Sequence, residues 1–375
     1  MSAEDLSGGP SVTTVITREV ATDGSAAAGQ AIDPSDHALI TAGLRGFGLS
    51  DPTQVWPLAE GLMNRNWRVR TREGVWAVKQ ILDIDADSAR RQHRVTRTLA
   101  KLGLPVPPPR RCPDGDTVVE LAGTGVFAVL PWIEGVHRDG RDLDLGECRH
   151  LGGLLAHIHQ GLSAGVLAAA PESRVIAVTE AAKAKGKIDH YLGLIDARAE
   201  LDEFDRLVRQ RLVERQDLLE RVAYLRPDDT RPVAPIGWVH GDFHDLNLLW
   251  STGQPSRVSA VLDWDRLRCA PLAAEVVRTA TLIFGYDLTP ELRALDVDRV
   301  AAFTAGYREL IPLPEASLAD AIHRLWWERV CDFWQLRWHY EKADTSCDHL
   351  FVLASALLAW WSEHRDTVFV AFTTA

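Results

Sequence analysis

This 375-residue chain has no Cys-x-x-Cys pair and no Cys/His cluster with zinc-ligand spacing. Its five cysteines, Cys112, Cys148, Cys269, Cys331 and Cys347, are odd in number and scattered. That argues against a disulfide framework and for reduced, mostly buried thiols in a cytoplasmic protein. No apolar run approaches the roughly 20 residues that a membrane span requires. The start of the chain lacks a basic stretch with an apolar run behind it, so neither a signal peptide nor a membrane partner is expected. Positive charge is also short: 41 Lys and Arg against 52 Asp and Glu leave a formal net charge of −11. Duplex nucleic acid is thereby disfavoured as the main partner, because neutralising phosphates needs a basic surface. There is no internal repeat. The remaining composition, 46% hydrophobic and 25% charged, suits a folded soluble protein, and the length allows two lobes with separate cores.

Residues 1–33 are rich in Ser, Thr, Ala and Gly without a sustained period, and read as a mobile tail. Asp33 and Ser35 offer caps for a short helix towards Gly46. From Val55 to Leu130 the pattern is of strands with one long helix inserted. Trp67–Thr71 and Val75–Ile81 flank the turn Arg72-Glu73-Gly74. Asp85–Lys101 has helical spacing and is stopped by a Pro-rich run. Thr117–Leu121 and Gly125–Leu130 form a second hairpin. Pro131-Trp132-Ile133-Glu134-Gly135 marks a boundary between a first lobe, residues 34–130, and a second, residues 131–375. Beyond it, Leu151, Leu154, Leu155, Ile158 and Leu162 define a buried helical face. A strand at Ile236–Val239 and a hairpin of Leu248–Trp250 with Val258–Leu262 follow. From Ala270 onwards helices are expected throughout.

The most informative stretch is His240-Gly241-Asp242-Phe243-His244-Asp245-Leu246-Asn247, with Asp263-Trp264-Asp265 sixteen residues after Asn247. Phosphoryl transfer needs a carboxylate to orient and deprotonate a hydroxyl, plus an amide oxygen and a carboxylate to hold Mg²⁺ on phosphates. The pattern H-G-D-x-x-x-x-N followed by D-x-D resembles the core of the aminoglycoside phosphotransferase, choline kinase and homoserine kinase superfamily, the small-molecule relatives of protein kinases. The resemblance covers about residues 55 to 285. It implies an α+β, bilobal protein-kinase-like fold with a small mixed first lobe and a mostly helical second lobe. It also implies an enzyme that uses ATP (or GTP) and Mg²⁺ to phosphorylate a hydroxyl of a small molecule. On it, Asp242 is the catalytic base, Asn247 and Asp263 are metal ligands, and Asp265 is a candidate second carboxylate ligand. His240 is a structural hydrogen-bonding residue. His244 and Asp245 face substrate or solvent.

Lys79 ends a strand whose alternation turns Val75, Ala77 and Lys79 to one side. A lysine facing a lobe interior needs an anion, and nucleotide phosphates supply one. The segment Gly61-Leu-Met-Asn64-Arg-Asn66-Trp67-Arg-Val69 is similar to the G-x-x-N-x-x-aromatic-x-V loop over the phosphates, with Gly61 approaching oxygens and Asn64 bracing the turn. Pro131, Trp132 and Ile133 correspond to the hinge that presents backbone groups to the base. Glu275, after Pro271, resembles an acidic residue that follows the D-x-D hairpin and hydrogen-bonds behind it. One position departs from the pattern. Many relatives pair the strand lysine with a glutamate on the inserted helix, whereas this helix offers Gln92, leaving nucleotide alone or a carboxylate from elsewhere as partner.

Among thirteen tryptophans, Trp326, Trp327, Trp334 and Trp338 fall in one expected helix. They are either core or an aromatic wall for a ring-bearing acceptor, in which case Glu328, Asp332, Trp334, Arg337 and Trp338 are substrate contacts. The aromatic-wall reading favours an antibiotic or sugar-containing acceptor, as in resistance enzymes, over a homoserine- or choline-like amino alcohol. A nucleotide-binding pseudokinase scaffold is the competing class. A protein kinase is disfavoured, since Asp-Trp-Asp stands where those enzymes have Asp-Phe-Gly.

Overall fold

The computed structural model describes residues 32–58, 64–164, 167–253, 255–289 and 292–374. Helix α1 (Pro34–Gly46) opens the first lobe, with the Asp33 side chain accepting from the Ser35 N–H and Pro34 in the first turn. The strands β1 (Gln54–Leu58), β2 (Arg65–Thr71) and β3 (Gly74–Ile81) are joined by helix α2 (Ala86–Lys101) to β4 (Val119–Leu121) and β5 (Gly125–Pro131). They build an antiparallel sheet in the order β1-β2-β3-β5-β4. The pleat separates two faces. Val69, Val78, Phe127 and Val129 pack with Ile40 and Leu44 of α1, while Ile81 and Ala128 pack with Ala86 and Ala89 of α2. Lys79 lies opposite Ala128 in the register and so shares the α2 face. The 1–33 tail falls almost wholly outside the described residues, and Gly61 lies outside them too.

The second lobe is mostly helical. Helix α3 (Leu145–Ser163) starts with a capping box between Asp144 and Glu147 and buries Leu151, Leu155, Ile158 and Leu162, with Leu154 half-buried. Next come β6 (Arg174–Val175), α4 (Ala181–Asp196), α5 (Glu203–Val222), β7 (Pro232–Val233) and β8 (Ile236–Val239). The hairpin β9 (Leu248–Trp250) and β10 (Val258–Val261) follows, then β11 (Arg268–Pro271), which pairs antiparallel with β8. Helix α6 (Leu272–Ile283), strands β12 (Gly285–Thr289) and β13 (Leu292–Leu295), and helices α7 (Val297–Arg308), α8 (Glu315–Cys331), α9 (Trp334–Lys342), α10 (Asp348–Glu363) and α11 (Arg365–Thr373) complete it. Glycines let α3 and α7 cross closely. A Cβ on Gly152 would stand 1.9 Å from the Phe303 oxygen, and one on Gly306 1.9 Å from the Arg149 oxygen.

Two expectations need correction. The chain after Ala270 is not helical throughout. β12 and β13 form a hairpin that Arg293 ties together, donating to Asp287 Oδ1 at 2.7 Å and to the Gly285 carbonyl at 2.8 Å. The tryptophans do not share one helix either. At Asp332 the backbone is extended (φ −104°, ψ 134°), which ends α8 and turns Phe333 into the core, 1% exposed. The break removes Trp334 and Trp338 from the line of Trp327 and Cys331. Trp326 and Trp327 are each 1% exposed, and their indole N–H groups donate to Ser362 Oγ and to the Thr179 carbonyl. These two are core. Trp327→Ala is therefore expected to cost about 3–5 kcal/mol, read as a fall in Tm with nucleotide affinity unchanged in the folded fraction. An unchanged Tm would contradict that placement.

Candidate active site

Strand β8 leads into the loop from His240 to Asn247, and β9–β10 returns the chain to Asp263. Two bonds pin the loop to the far end of that hairpin. Leu262 N–H donates to the Asn247 carbonyl at 2.9 Å, and His240 Nε2 donates to the Leu262 carbonyl at 2.9 Å. His240 Nδ1 accepts from the Asp242 N–H at 3.2 Å, so this fully buried ring has one tautomer and is neutral, burial holding its pKa down. Gly241 has φ +87°, and a Cβ there would stand 2.2 Å from the Arg266 oxygen, so only glycine fits.

Glu275 on α6 holds the loop from behind. Its carboxylate accepts the N–H groups of His240, at 3.2 Å, and of Gly241, together with His159 Nε2 at 2.6 Å. His159 in turn bonds the Tyr307 hydroxyl through Nδ1 at 2.7 Å. Burial favours the neutral acid, but His159 and the loop amides outweigh it and hold the Glu275 pKa below its ordinary value. A depressed carboxylate contributes stability that is present above its unfolded pKa and lost as pH falls. Glu275→Gln is expected to lose about 3 kcal/mol at neutral pH, because the amide cannot accept from all three donors. The gap to wild type should narrow as pH falls below the ordinary glutamate range. Denaturant titrations at several pH values check this, and a pH-independent gap would contradict it.

Asp242 is 1% exposed. Arg278 Nη2 donates to its Oδ1 at 2.9 Å, while Oδ2 has no hydrogen-bond partner and faces His244 Nε2 at 3.7 Å. Burial pushes the Asp242 pKa up, yet His244 and Arg278 more than offset it and hold it at about 2. The same pairing, with Asp245 Oδ1 3.6 Å away, lifts His244 to about 9 against its own burial. Asp242 is thus an ionised carboxylate with Oδ1 held by Arg278 and Oδ2 facing the charged His244. Asn247 is 3% exposed, and its Nδ2 donates to the Asp242 carbonyl at 2.8 Å.

Across the cleft, Lys79 Nζ lies 2.7 Å from Asp265 Oδ2 and 3.7 Å from Asp263 Oδ1. Burial favours the neutral amine, but Asp265 and Asp263 reverse it and raise the Lys79 pKa. Asp265 is therefore the carboxylate absent from the inserted helix. Gln92 reaches only its backbone oxygen, at 3.5 Å. Asn64 Nδ2 donates to Asp265 Oδ2 at 3.2 Å and its Oδ1 accepts the Leu82 N–H at 2.8 Å, bracing the strand edge. Asp263 has φ +55°, a left-handed backbone that a non-glycine residue adopts at a cost. Its pKa is raised by burial, with the neighbouring Asp265 adding to it. Among the described residues no group of three or more His, Cys, Asp or Glu could hold a metal by itself.

At the hinge, β5 ends on Pro131, Trp132 N–H donates to the Val75 carbonyl at 3.2 Å, and the Arg68 guanidinium lies 4.7 Å from the Trp132 ring centroid. A cavity of about 180 Å³ opens beside the catalytic loop, lined by Gly241, Arg266, Arg268, Arg278 and Glu328 among others. Glu328 is in this wall. Asp332, Trp334 and Trp338 are not, because the chain bends away at Asp332. Several residues were not foreseen. Arg278 falls one helical turn after Glu275, a spacing that would have put it beside the same loop. His159 and Tyr307 come from α3 and α7 and leave no local trace.

A lysine-bearing sheet over a loop carrying Asp242 and Asn247, with Asp263 after the following hairpin, in two lobes, is the architecture of the protein-kinase-like class of small-molecule kinases. Residues 55–313 match the phosphotransferase enzyme family, more than half of the chain. The chain belongs to that family and is a small-molecule phosphotransferase. It is similar in structure to a spectinomycin phosphotransferase bound to ADP and spectinomycin, with a TM-score of 0.60, 15% identity and coverage of 92% of this chain and 99% of that one. An aminoglycoside phosphotransferase from Alicyclobacillus acidocaldarius gives 0.57 at 15% identity, covering 94% and 98%. An amicoumacin kinase with AMP-PNP and Ca²⁺ gives 0.56 at 19%, covering 89% and 93%. At these identities the likeness establishes the fold. No curated protein matches the chain. Among the described residues no helix is long and apolar enough to cross a membrane.

Proposed function

We propose that the protein transfers the γ-phosphoryl group of ATP or GTP to a hydroxyl of a small molecule, with antibiotics and sugar-containing metabolites as the first class to test. The observation that carries this reading is the convergence of Lys79 on Asp263 and Asp265 beside an ionised Asp242 whose Oδ2 accepts no hydrogen bond and faces His244 at 3.7 Å. Solved structures of similar fold include kinases of spectinomycin, amicoumacin and aminopropanol, which supports a hydroxyl acceptor.

In this reading Lys79 binds the nucleotide phosphates, and Asn64 holds the strand edge under them. Trp132 spends its N–H on Val75 and Pro131 has none, so the Ile133 N–H and the Pro131 carbonyl are the hinge groups for the base. Asn247 and Asp263 suit Mg²⁺, a hard cation that takes oxygen ligands and completes its shell with phosphate and water. When bound, it would neutralise charge on the phosphates. Asp265, held by Lys79 and Asn64, positions the lysine. The acceptor oxygen attacks the γ-phosphorus, its proton passes to Asp242 Oδ2, and the nucleoside diphosphate leaves. His240 and Glu275 fix the loop. Asp265 as counter-ion of Lys79 also removes the feature that favoured a scaffold without activity. The test is a γ-labelled ATP screen against pooled sugars, amino alcohols, nucleosides and antibiotics. Label in an organic product supports the reading, and label in inorganic phosphate alone refutes it.

A further inference from the structure

We propose that the acceptor carries an oxyanion, a carboxylate or a phosphate, which Arg268 and Arg266 receive in the cavity beside Asp242. This rests on the phosphotransfer reading above. The cavity is lined by Gly241, the residue before Asp242, and by Arg278, which bonds the Asp242 carboxylate. Its charged walls divide into satisfied and unsatisfied groups. Arg324 is engaged by Asp320 at 2.7 Å and by the carbonyls of Ile176 and Asp228. Glu275 is consumed by His159 and the loop amides, and Arg278 by Asp242.

Arg268 is different. Its guanidinium makes only long bonds to the carbonyls of Gly241, at 3.3 Å, and Arg266, at 3.4 Å, with no carboxylate within 4 Å among the described residues. The Arg268 side chain is open to solvent; the surrounding walls still lower its pKa through desolvation first of all, with Arg278 adding to that and Glu275, Asp242 and Glu328 opposing it. A guanidinium crowded by another is the fork-shaped donor set that takes a carboxylate or phosphate in two parallel bonds. Glu328, in the same wall, makes no ion pair within 4 Å among the described residues, although its charge supports that of Arg268 at longer range. It is placed to accept an N–H or O–H from the same ligand. At about 180 Å³ the cavity takes a small acceptor, or the anionic end of a larger one, rather than a whole drug-sized ring system.

The probe is inorganic sulfate, titrated calorimetrically into the full-length protein with and without Mg·AMP-PNP. Wild type is expected to bind one sulfate in both states, with Arg268→Gln and Arg266→Gln each raising its Kd by about tenfold or more and leaving AMP-PNP affinity unchanged. Absence of sulfate binding, or binding indifferent to both substitutions, overturns the proposal. Failure to bind Mg·AMP-PNP would instead count against the phosphotransfer reading, and the sulfate result would still stand. Matched acceptors then separate the two anions. Hydroxy acids against their amides, and sugar phosphates against their parent sugars, should show which charged form is selected. Preference for the uncharged member of both pairs also overturns it.

Discussion

Asp242→Asn is expected to lower kcat by about 10²–10⁴ while leaving the Kd for Mg·ATP within a factor of about two, because base and orienting contributions have that size. The asparagine retains the shape and can still meet His244, but it cannot take a proton. It also breaks the charge pairing that holds His244 at about 9 and leaves Arg278 facing a neutral amide. The folded protein should survive, since Gly241, His240 and Glu275 fix the loop through the backbone. Steady-state kinetics with a fixed acceptor, paired with nucleotide titration, check both halves. Near-normal kcat would remove Asp242 from the role of base.

Asp263→Asn should weaken Mg·ATP binding and turnover together. The substitution deletes one anionic oxygen from the group that faces Lys79 and would hold the cation. A drop of at least about tenfold in Mg·ATP affinity is expected, with little change in the affinity for metal-free ATP. Asparagine also tolerates the left-handed backbone at this position, so stability should hold. If Mg·ATP affinity is unchanged, Asp263 is not the metal ligand, and Asp265→Asn becomes the next variant. Asp265→Asn in turn should loosen Lys79 from its 2.7 Å contact and so affect nucleotide affinity with or without metal.

The loop that carries Asp242 and Asn247 was legible because its motif is contiguous, the two residues lying five apart on one tight turn. Lys79 could be read from strand alternation and from its order in the chain. Its counter-ion could not, since Asp265 lies 186 residues away and no local pattern links the two. The same limit hid His159, which reaches Glu275 across 116 residues. The tryptophan helix shows a different failure. Trp327, Cys331, Trp334 and Trp338 have helical spacing, and nothing in that period signals that burial of Phe333 outweighs continuity at Asp332. The antibiotic reading rested partly on that helix, and the cavity beside the loop at Gly241 is instead walled by both arginines and carboxylates, among them Arg268 and Glu328.

The central claim is direct transfer from nucleotide to acceptor with Asp242 as base, and the stereochemical course at phosphorus tests it most directly. The measurement uses ATP with a chiral γ-thiophosphate and an acceptor found in the screen. A single in-line displacement predicts inversion of configuration in the product. Retention would mean two displacements through a phosphorylated enzyme group, and would contradict the account.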